Sequence, residues 1–328
     1  MSKQPLKPVA SLSLDLDNKW SYMKTHGDHG WESFPSYLDL VVPRFLSLFQ
    51  ELGLCATVFI VGQDAALPEN HQAISSIAAA GHEIGNHSFS HEPWFHLYSP
   101  QETEREVAQA EEHLERLTGV QTVGFRGPGY SRTPVLMDCL ARRGYLYDAS
   151  SLPTFIGPLA RAYYFAVSRL KGSELKQRSA LFGNFRDGFG TLKAHRVACG
   201  SESLVEIPVT TMPFLRCPIH LSYIHYLATF SPAVAMTYFR CAIRLCRLRS
   251  ISPSFLLHPL DFLDVSEVPE LAFFPAMSLS SRRKMALGRS VLRIFSENFS
   301  VGPLRDHARQ IGVPSASAYE RHVTASGD

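Results

Sequence analysis

Apolar positions along the chain switch repeatedly between two periods. Ala10 to Leu16 alternates small or apolar with polar residues and predicts a strand, whereas Tyr37 to Leu52 is apolar at helical spacing and stops at Gly53. Leu54 to Val61 is a continuous apolar run that predicts a buried strand. A helix over His71 to Ala80, stopped by Gly81, leads to a short strand near His82 to Gly85. Ser99-Pro100 followed by acidic residues starts a long helix that ends at Gly119. Val123 to Arg126 predicts a strand, Pro134 to Arg143 a helix and Tyr145 to Asp148 another strand. Leu204 to Val209 and Phe255 to Leu257 are further strands, followed by a helix over Arg282 to Asn298, a strand at Val301 to Leu304 and a helix over Asp306 to Ile311. Strand-helix alternation of this kind implies an α/β fold with a mainly parallel sheet covered by helices, as a barrel or an open sheet.

The alternation lapses between about residues 150 and 200 and again between about 210 and 250. With no internal repeat and no low-complexity linker, residues 1–328 read as a single domain with a large, partly helical insertion at roughly 155–250. Cys217 to Phe239 contains no charged residue and reaches membrane-spanning length, but Pro218, His220, His225 and Pro232 interrupt it, so it reads as a buried or interfacial segment. If Ser231 caps a helix that begins at Pro232, Arg240, Arg244 and Arg247 share one face at i, i+4, i+7. An apolar helix with such a stripe suits an anionic membrane surface, although a solvated face is the plainer reading of the stripe alone.

Composition changes this picture in one respect. The 328 residues balance to a net charge of +2, with 45% hydrophobic and 19% charged content, which excludes disordered, collagen-like and coiled-coil chains. The balance is uneven. Arg161 to Arg196 holds eight basic and two acidic residues, and Arg240 to Arg249 and Arg282 to Arg293 hold only basic ones, so the remainder is acidic. The basic stretches carry no nucleic-acid-binding motif, and the expected partner is an anionic lipid surface or a phosphate-bearing molecule, with no nucleic acid. Six cysteines without paired spacing read as reduced thiols, and the first residues lack the apolar core of a secretory signal. The expected location is cytoplasmic, with contact to the inner face of the membrane through residues 217–249.

Polar outliers fall at the C-terminal ends of successive predicted strands: Asp15 and Asp17, His87 and His91, Arg126, Asp148 and His258. Each has a plain explanation alone. Asp15-x-Asp17 fits a turn or helix cap, and the His87–His91 spacing can arise by chance among 14 histidines. Arg126 fits a surface ion pair, and His258 a satisfied core histidine. Their joint placement is what points to chemistry, because parallel α/β barrels gather it where strands end. Two histidines four residues apart with one carboxylate suit Zn²⁺, or non-haem iron, with positions left for water and substrate. A second carboxylate beside them can take a proton from water, an arginine can orient that carboxylate, and a histidine across the site can protonate a leaving amine. Together they describe hydrolysis of an amide or ester.

In this order the residues resemble the polysaccharide deacetylases, carbohydrate esterase family 4, also called the NodB-like or chitooligosaccharide-deacetylase homology domain. SLDLD stands where the family has two adjacent aspartates, and this spaced form looks like the branch acting on lipid-linked aminosugars. HSFSH, preceded by GHEIGN, looks like the second motif, RGPGY the third, YDASSLP the fourth and FLLHP the fifth. The resemblance runs from Ala10 to about Pro153 and resumes near 204–209 and 254–260, roughly half the chain. It implies a distorted (β/α) barrel of about seven strands. It assigns Asp15 as general base, Asp17, His87 and His91 as metal ligands, and Arg126 as the residue orienting Asp15. It also implies that the Tyr130 backbone N–H stabilises the oxyanion and that Asp148 orients His258, the general acid. One divalent metal is implied, zinc first, with iron, cobalt or manganese as alternatives.

The expected substrate is an N-acyl (acetyl or formyl) aminosugar, lipid-linked through polyprenyl phosphate or part of a glycan precursor. A hydrolase of small non-sugar amides or cyclic imides on the same site is the second reading. A non-catalytic metal- or lipid-binding relative is the third.

Overall fold

The computed structural model describes residues 7–312. The residues read above as the N-terminus without a secretory signal begin with residues 1–6, which lie outside the described part. The chain runs β1 (Val9–Leu16), α1 (Lys19–His26), α2 (Leu38–Leu52), β2 (Thr57–Ile60), α3 (Gly62–Ala66), α4 (His71–Ala79), β3 (Glu83–Asn86), α5 (Pro100–Thr118), β4 (Gly124–Phe125), α6 (Pro134–Arg142) and β5 (Tyr147–Asp148). It continues through α7 (Gly157–Val167), α8 (Ser173–Gln177), β6 (His195–Cys199), β7 (Glu202–Glu206), α9 (Leu221–Phe230), α10 (Pro232–Leu248), β8 (Ser254–Leu257), α11 (Ser281–Asn298), β9 (Ser300–Gly302) and α12 (Leu304–Gly312).

Strand order is β6-β7-β5-β4-β3-β2-β1-β8, with β9 also on β1, and every pairing is parallel except β6 with β7. The sheet is mainly parallel, as the alternation implied, and it curls, as the resemblance implied; its two ends meet through backbone rather than through a strand. Past β7 the chain stays extended beside β5 (Ile207 N–H to the Asp148 carbonyl at 2.9 Å) and then reaches β8 (Thr210 N–H to the Ser254 carbonyl at 3.1 Å). The described residues form nine strands against the seven or so that the resemblance implies; β7 and β9 fall on the strands expected at 204–209 and 301–304, and β6 is the one the sequence did not mark.

Helix ends follow local chemistry. Ser99 and Glu102 form a reciprocal capping box on α5, and Gly119 closes that helix at φ +68°. The Ser231 hydroxyl accepts from Val234 N–H, so α10 begins at Pro232 as the sequence suggested. The main core lies between the sheet and its covering helices, with β1 to β3 and β8 contributing Leu12, Leu14, Val58, Ile84 and Phe255, all fully buried. No helix among the described residues is long and apolar enough to cross a membrane.

Candidate active site

Because β1, β3, β4, β5 and β8 run parallel, residues at or just after their ends share one rim. Asp15 lies at the end of β1 and Asp17 just past it; His87 follows β3, Arg126 follows β4, Asp148 ends β5 and His258 follows β8.

Asp17, His87 and His91 converge. Asp17 Oδ1 lies 3.2 Å from His87 Nε2 and 2.9 Å from His91 Nε2, and one ligand atom from each of the three lies within 4.8 Å of the others. All three side chains are buried. The His87 Nδ1 is 2.6 Å from the Arg126 carbonyl oxygen, which can only accept, so Nδ1 carries a proton. His87 Nε2 is therefore the atom that faces the Asp17 carboxylate; burial works against the imidazolium, but the hydrogen bond and charge of Asp17 outweigh it and raise the His87 pKa. Two imidazole nitrogens with one carboxylate oxygen also fit a divalent transition metal. Burial opposes the Asp17 charge, yet His91 and His87 together hold its carboxyl well below the usual range.

The loop carrying the two histidines is bent by its surroundings. Ser88 and His91 have positive φ (61° and 52°), a region that costs non-glycine residues energy unless neighbours impose it. Glu106 of α5 imposes it: its carboxylate accepts from Phe89 N–H at 3.1 Å, Ser90 N–H at 2.8 Å and the Ser90 hydroxyl at 2.8 Å. Behind Asp17, the Asp64 carboxylate of α3 accepts from the Asn18 amide and the Trp20 indole, both at 2.8 Å, and the Trp20 ring packs edge-on against His91. Glu106 and Asp64 escaped the reading of the sequence. Their one signal was a carboxylate at a buried position of an otherwise apolar helix face.

Asp15 stands apart from this cluster. Its Oδ1 accepts from Arg126 Nη1 at 2.6 Å, and Arg126 is wholly buried over the Phe59 ring, with Nε donating to the Ala149 carbonyl. The two aspartates therefore face different partners, one a guanidinium and the other two imidazoles. The Tyr130 phenol sits in the field of Asp15, and burial with that charge raises its pKa, so its hydroxyl stays protonated.

Two expected contacts are not made. The Tyr130 N–H donates to the Gly127 carbonyl at 3.0 Å, closing a tight turn in which Tyr130 has φ +62°, so it is not free for an oxyanion. Asp148 does not orient His258. In register with Glu206 across β5 and β7, it accepts from the Ser150 hydroxyl at 2.6 Å and lies 3.7 Å from Arg132, which also holds Glu206 at 3.1 Å. Burial, and after it the neighbouring Asp148 carboxylate, raises the Glu206 pKa well above the usual carboxylate range. The partner of His258 Nδ1 is the Ser222 hydroxyl of α9 at 3.0 Å, while Asp261 holds the His258 backbone N–H. The ring of His220, at the start of α9, lies 5.8 Å away, and burial lowers its pKa to about 3.

The fold and rim define a (β/α)-barrel protein with a buried Asp–His–His cluster that could hold a metal ion, beside an arginine-held carboxylate. Residues 28–147 match the family model described as polysaccharide deacetylase, a span that includes His87, His91, Arg126 and Tyr130. The resemblance read from the motifs is thereby borne out. A peptidoglycan deacetylase from Helicobacter pylori is 28% identical over 166 residues, 48% of this chain and 53% of that protein. A peptidoglycan deacetylase-like protein from Gibberella zeae is 30% identical over 162 residues, 47% of this chain and 45% of that protein. The chain thus spans about half the length of the curated relatives it matches. A solved structure from Mycobacterium smegmatis, assigned to the polysaccharide deacetylases, superposes with a TM-score of 0.60 at 21% identity over 94% of this chain and 92% of that one, which establishes the shared fold.

Proposed function

We propose that the protein is a metal-dependent amide hydrolase that removes the N-acyl group from an aminosugar. The observation that carries this reading is the division of labour between the aspartates: Asp17 with His87 and His91, Asp15 with Arg126. Asp17, His87 and His91 would hold one divalent ion, with zinc suited to the two imidazoles and one carboxylate. When bound, such an ion supplies Lewis acidity, making water more acidic and drawing charge from an acyl oxygen. Asp15, fixed by Arg126, accepts the proton of the attacking water. His258, fixed by Ser222, protonates the departing sugar nitrogen from Nε2. The protonated Tyr130 phenol offers a donor on the same rim in place of its committed backbone N–H.

Two features support a lipid-linked sugar on an inner membrane face as the substrate. Phe230 and Val234 are exposed at the turn between α9 and α10, and Arg240, Arg244 and Arg247 are exposed along α10. Apolar and cationic groups on one helical hairpin suit an anionic, lipid-anchored substrate. The test compares a short soluble N-acetyl aminosugar with a polyprenyl-phosphate-linked one, each with acetyl and formyl groups. A higher kcat/KM on the linked form is expected, and equal efficiency would remove the lipid-linked reading. Asp15→Asn is expected to lower kcat by about 10²- to 10⁴-fold while metal content stays that of the parent. Unchanged turnover would overturn the assignment of Asp15.

A further inference from the structure

Away from the rim, a cavity of about 520 Å³ opens between residues 188–193, the turn at 213–216 and the approach to β8 at 249–251. Its walls are apolar, with Phe155, Phe189, Phe214 and Leu192, and its charges are of one sign: Lys193, Arg216 and Arg249 line it and no carboxylate does. None of these three cations forms an ion pair among the described residues. Arg216 Nη1 is buried without any hydrogen-bond partner, a donor whose desolvation nothing in the protein offsets. The Arg249 guanidinium lies 5.2 Å from the centre of the Phe214 ring, which fixes it at the mouth.

The backbone supports the same conclusion. The turn is closed by Met212 N–H to the Cys217 carbonyl at 2.7 Å, and the Thr154 hydroxyl donates to the Arg216 carbonyl at 2.7 Å. Within it, Phe214 and Arg216 both adopt positive φ, 72° and 56°. Strain at two non-glycine residues in one turn is typical of ligand clamps, and here it delivers an aromatic ring and a guanidinium to one cavity. Phe189 and Phe214 stay 72% and 67% exposed at its edge, an arrangement that leaves apolar surface for a ligand to cover.

We propose that this cavity binds a phosphate ester carrying an apolar chain, with the phosphate on Arg216, Arg249 and Lys193 and the chain against the phenylalanines. Guanidinium groups suit phosphate through paired N–H donors, and a wall without carboxylates leaves the anion unopposed. Binding rests on the cavity alone; the link to substrate rests on the function proposed above.

Calorimetric titration with farnesyl phosphate, inorganic phosphate and farnesol tests it. Farnesyl phosphate is expected to bind at least tenfold more tightly than either of the others. Arg216→Gln and Arg249→Gln should each weaken it about tenfold, and Phe189→Ala several-fold, with Tm unchanged for Arg249→Gln and Phe189→Ala, whose side chains are exposed. Should Arg216→Gln fail to fold, Arg249→Gln and Lys193→Gln carry the test. Equal affinity for farnesyl and inorganic phosphate, or wild-type affinity in the arginine variants, would overturn the proposal. The source of the ligand is read separately. Competition by farnesyl phosphate against turnover of a linked aminosugar assigns the cavity to substrate, and displacement by phosphatidylglycerol vesicles without effect on turnover assigns it to membrane lipid. Absence of any turnover would sink the hydrolase reading and leave the binding result standing.

Discussion

Asp64 shows how far a single side chain can be pushed by its setting. It is fully buried, its Oδ1 accepts from Asn18, Trp20 and Asn70, and its Oδ2 has no partner. Burial raises its pKa to about 7, against 3.8 for an unburied aspartate. Between those values the folded chain holds a proton that the unfolded chain has lost, so the stability contribution grows as pH falls from about 7 towards 4 and shrinks as pH rises. Asp64→Asn keeps an acceptor oxygen and cannot ionise. Its Tm relative to the parent should therefore improve from pH 5 to pH 8, and a difference that stays constant over that range would contradict a proton-bearing Asp64. The buried Asp15–Arg126 pair behaves differently, since each partner there already neutralises the other. Arg126→Met should cost about 3–5 kcal/mol in urea unfolding by leaving Asp15 charged and unpaired, whereas a loss below about 1 kcal/mol would mean water reaches the site freely.

At the level of elements, α5 positions the histidine loop through Glu106. Glu106→Gln removes the charge from three hydrogen bonds while preserving shape, and is expected to weaken zinc binding about 10- to 100-fold with little change in far-UV circular dichroism. Zinc affinity equal to the parent would show that the loop holds its bend unaided. The long elements were legible because each had its own signals: a Ser99–Glu102 box and Gly119 for α5, Gly53 for α2, and an unbroken apolar run for β2. β6 was not legible, because it is a half-exposed strand with charged positions at the edge of the sheet, paired with β7 among the described residues. The rim residues were legible from their recurrence at strand ends, but their pairings were not. Sequence does not say which elements are neighbours: β7 pairs with β5 and sets Glu206 opposite Asp148, while α9 brings Ser222 to His258.

Across the whole molecule, the uneven charge of the sequence is partly absorbed by the fold. Lys284 is buried, donating to the Leu260 and Leu263 carbonyls, and Arg289 pairs with Glu51, so the segment 282–293 is less basic at the surface than its composition implies. Arg240 and Arg244 remain exposed without ion pairs among the described residues, and Arg247 is exposed with only Asn298 as partner. Replacing all three by Gln should weaken association with phosphatidylglycerol vesicles by about 3 kcal/mol, on the order of a hundredfold in a flotation assay at low salt. Equal flotation of parent and variant would remove α10 as a membrane contact. One feature of the sheet also dictates when any of this can assemble. β1, which leads into both aspartates, is flanked by β2 from early in the chain but by β8 and β9 from residues 254–257 and 300–302. During synthesis the first strand must therefore wait, with one apolar edge unpaired, until nearly the whole described chain has left the ribosome. Asp15 and Asp17 are thus made well before His258 and before the strands that complete their side of the sheet, and the waiting strand edge suits chaperones that shield such edges.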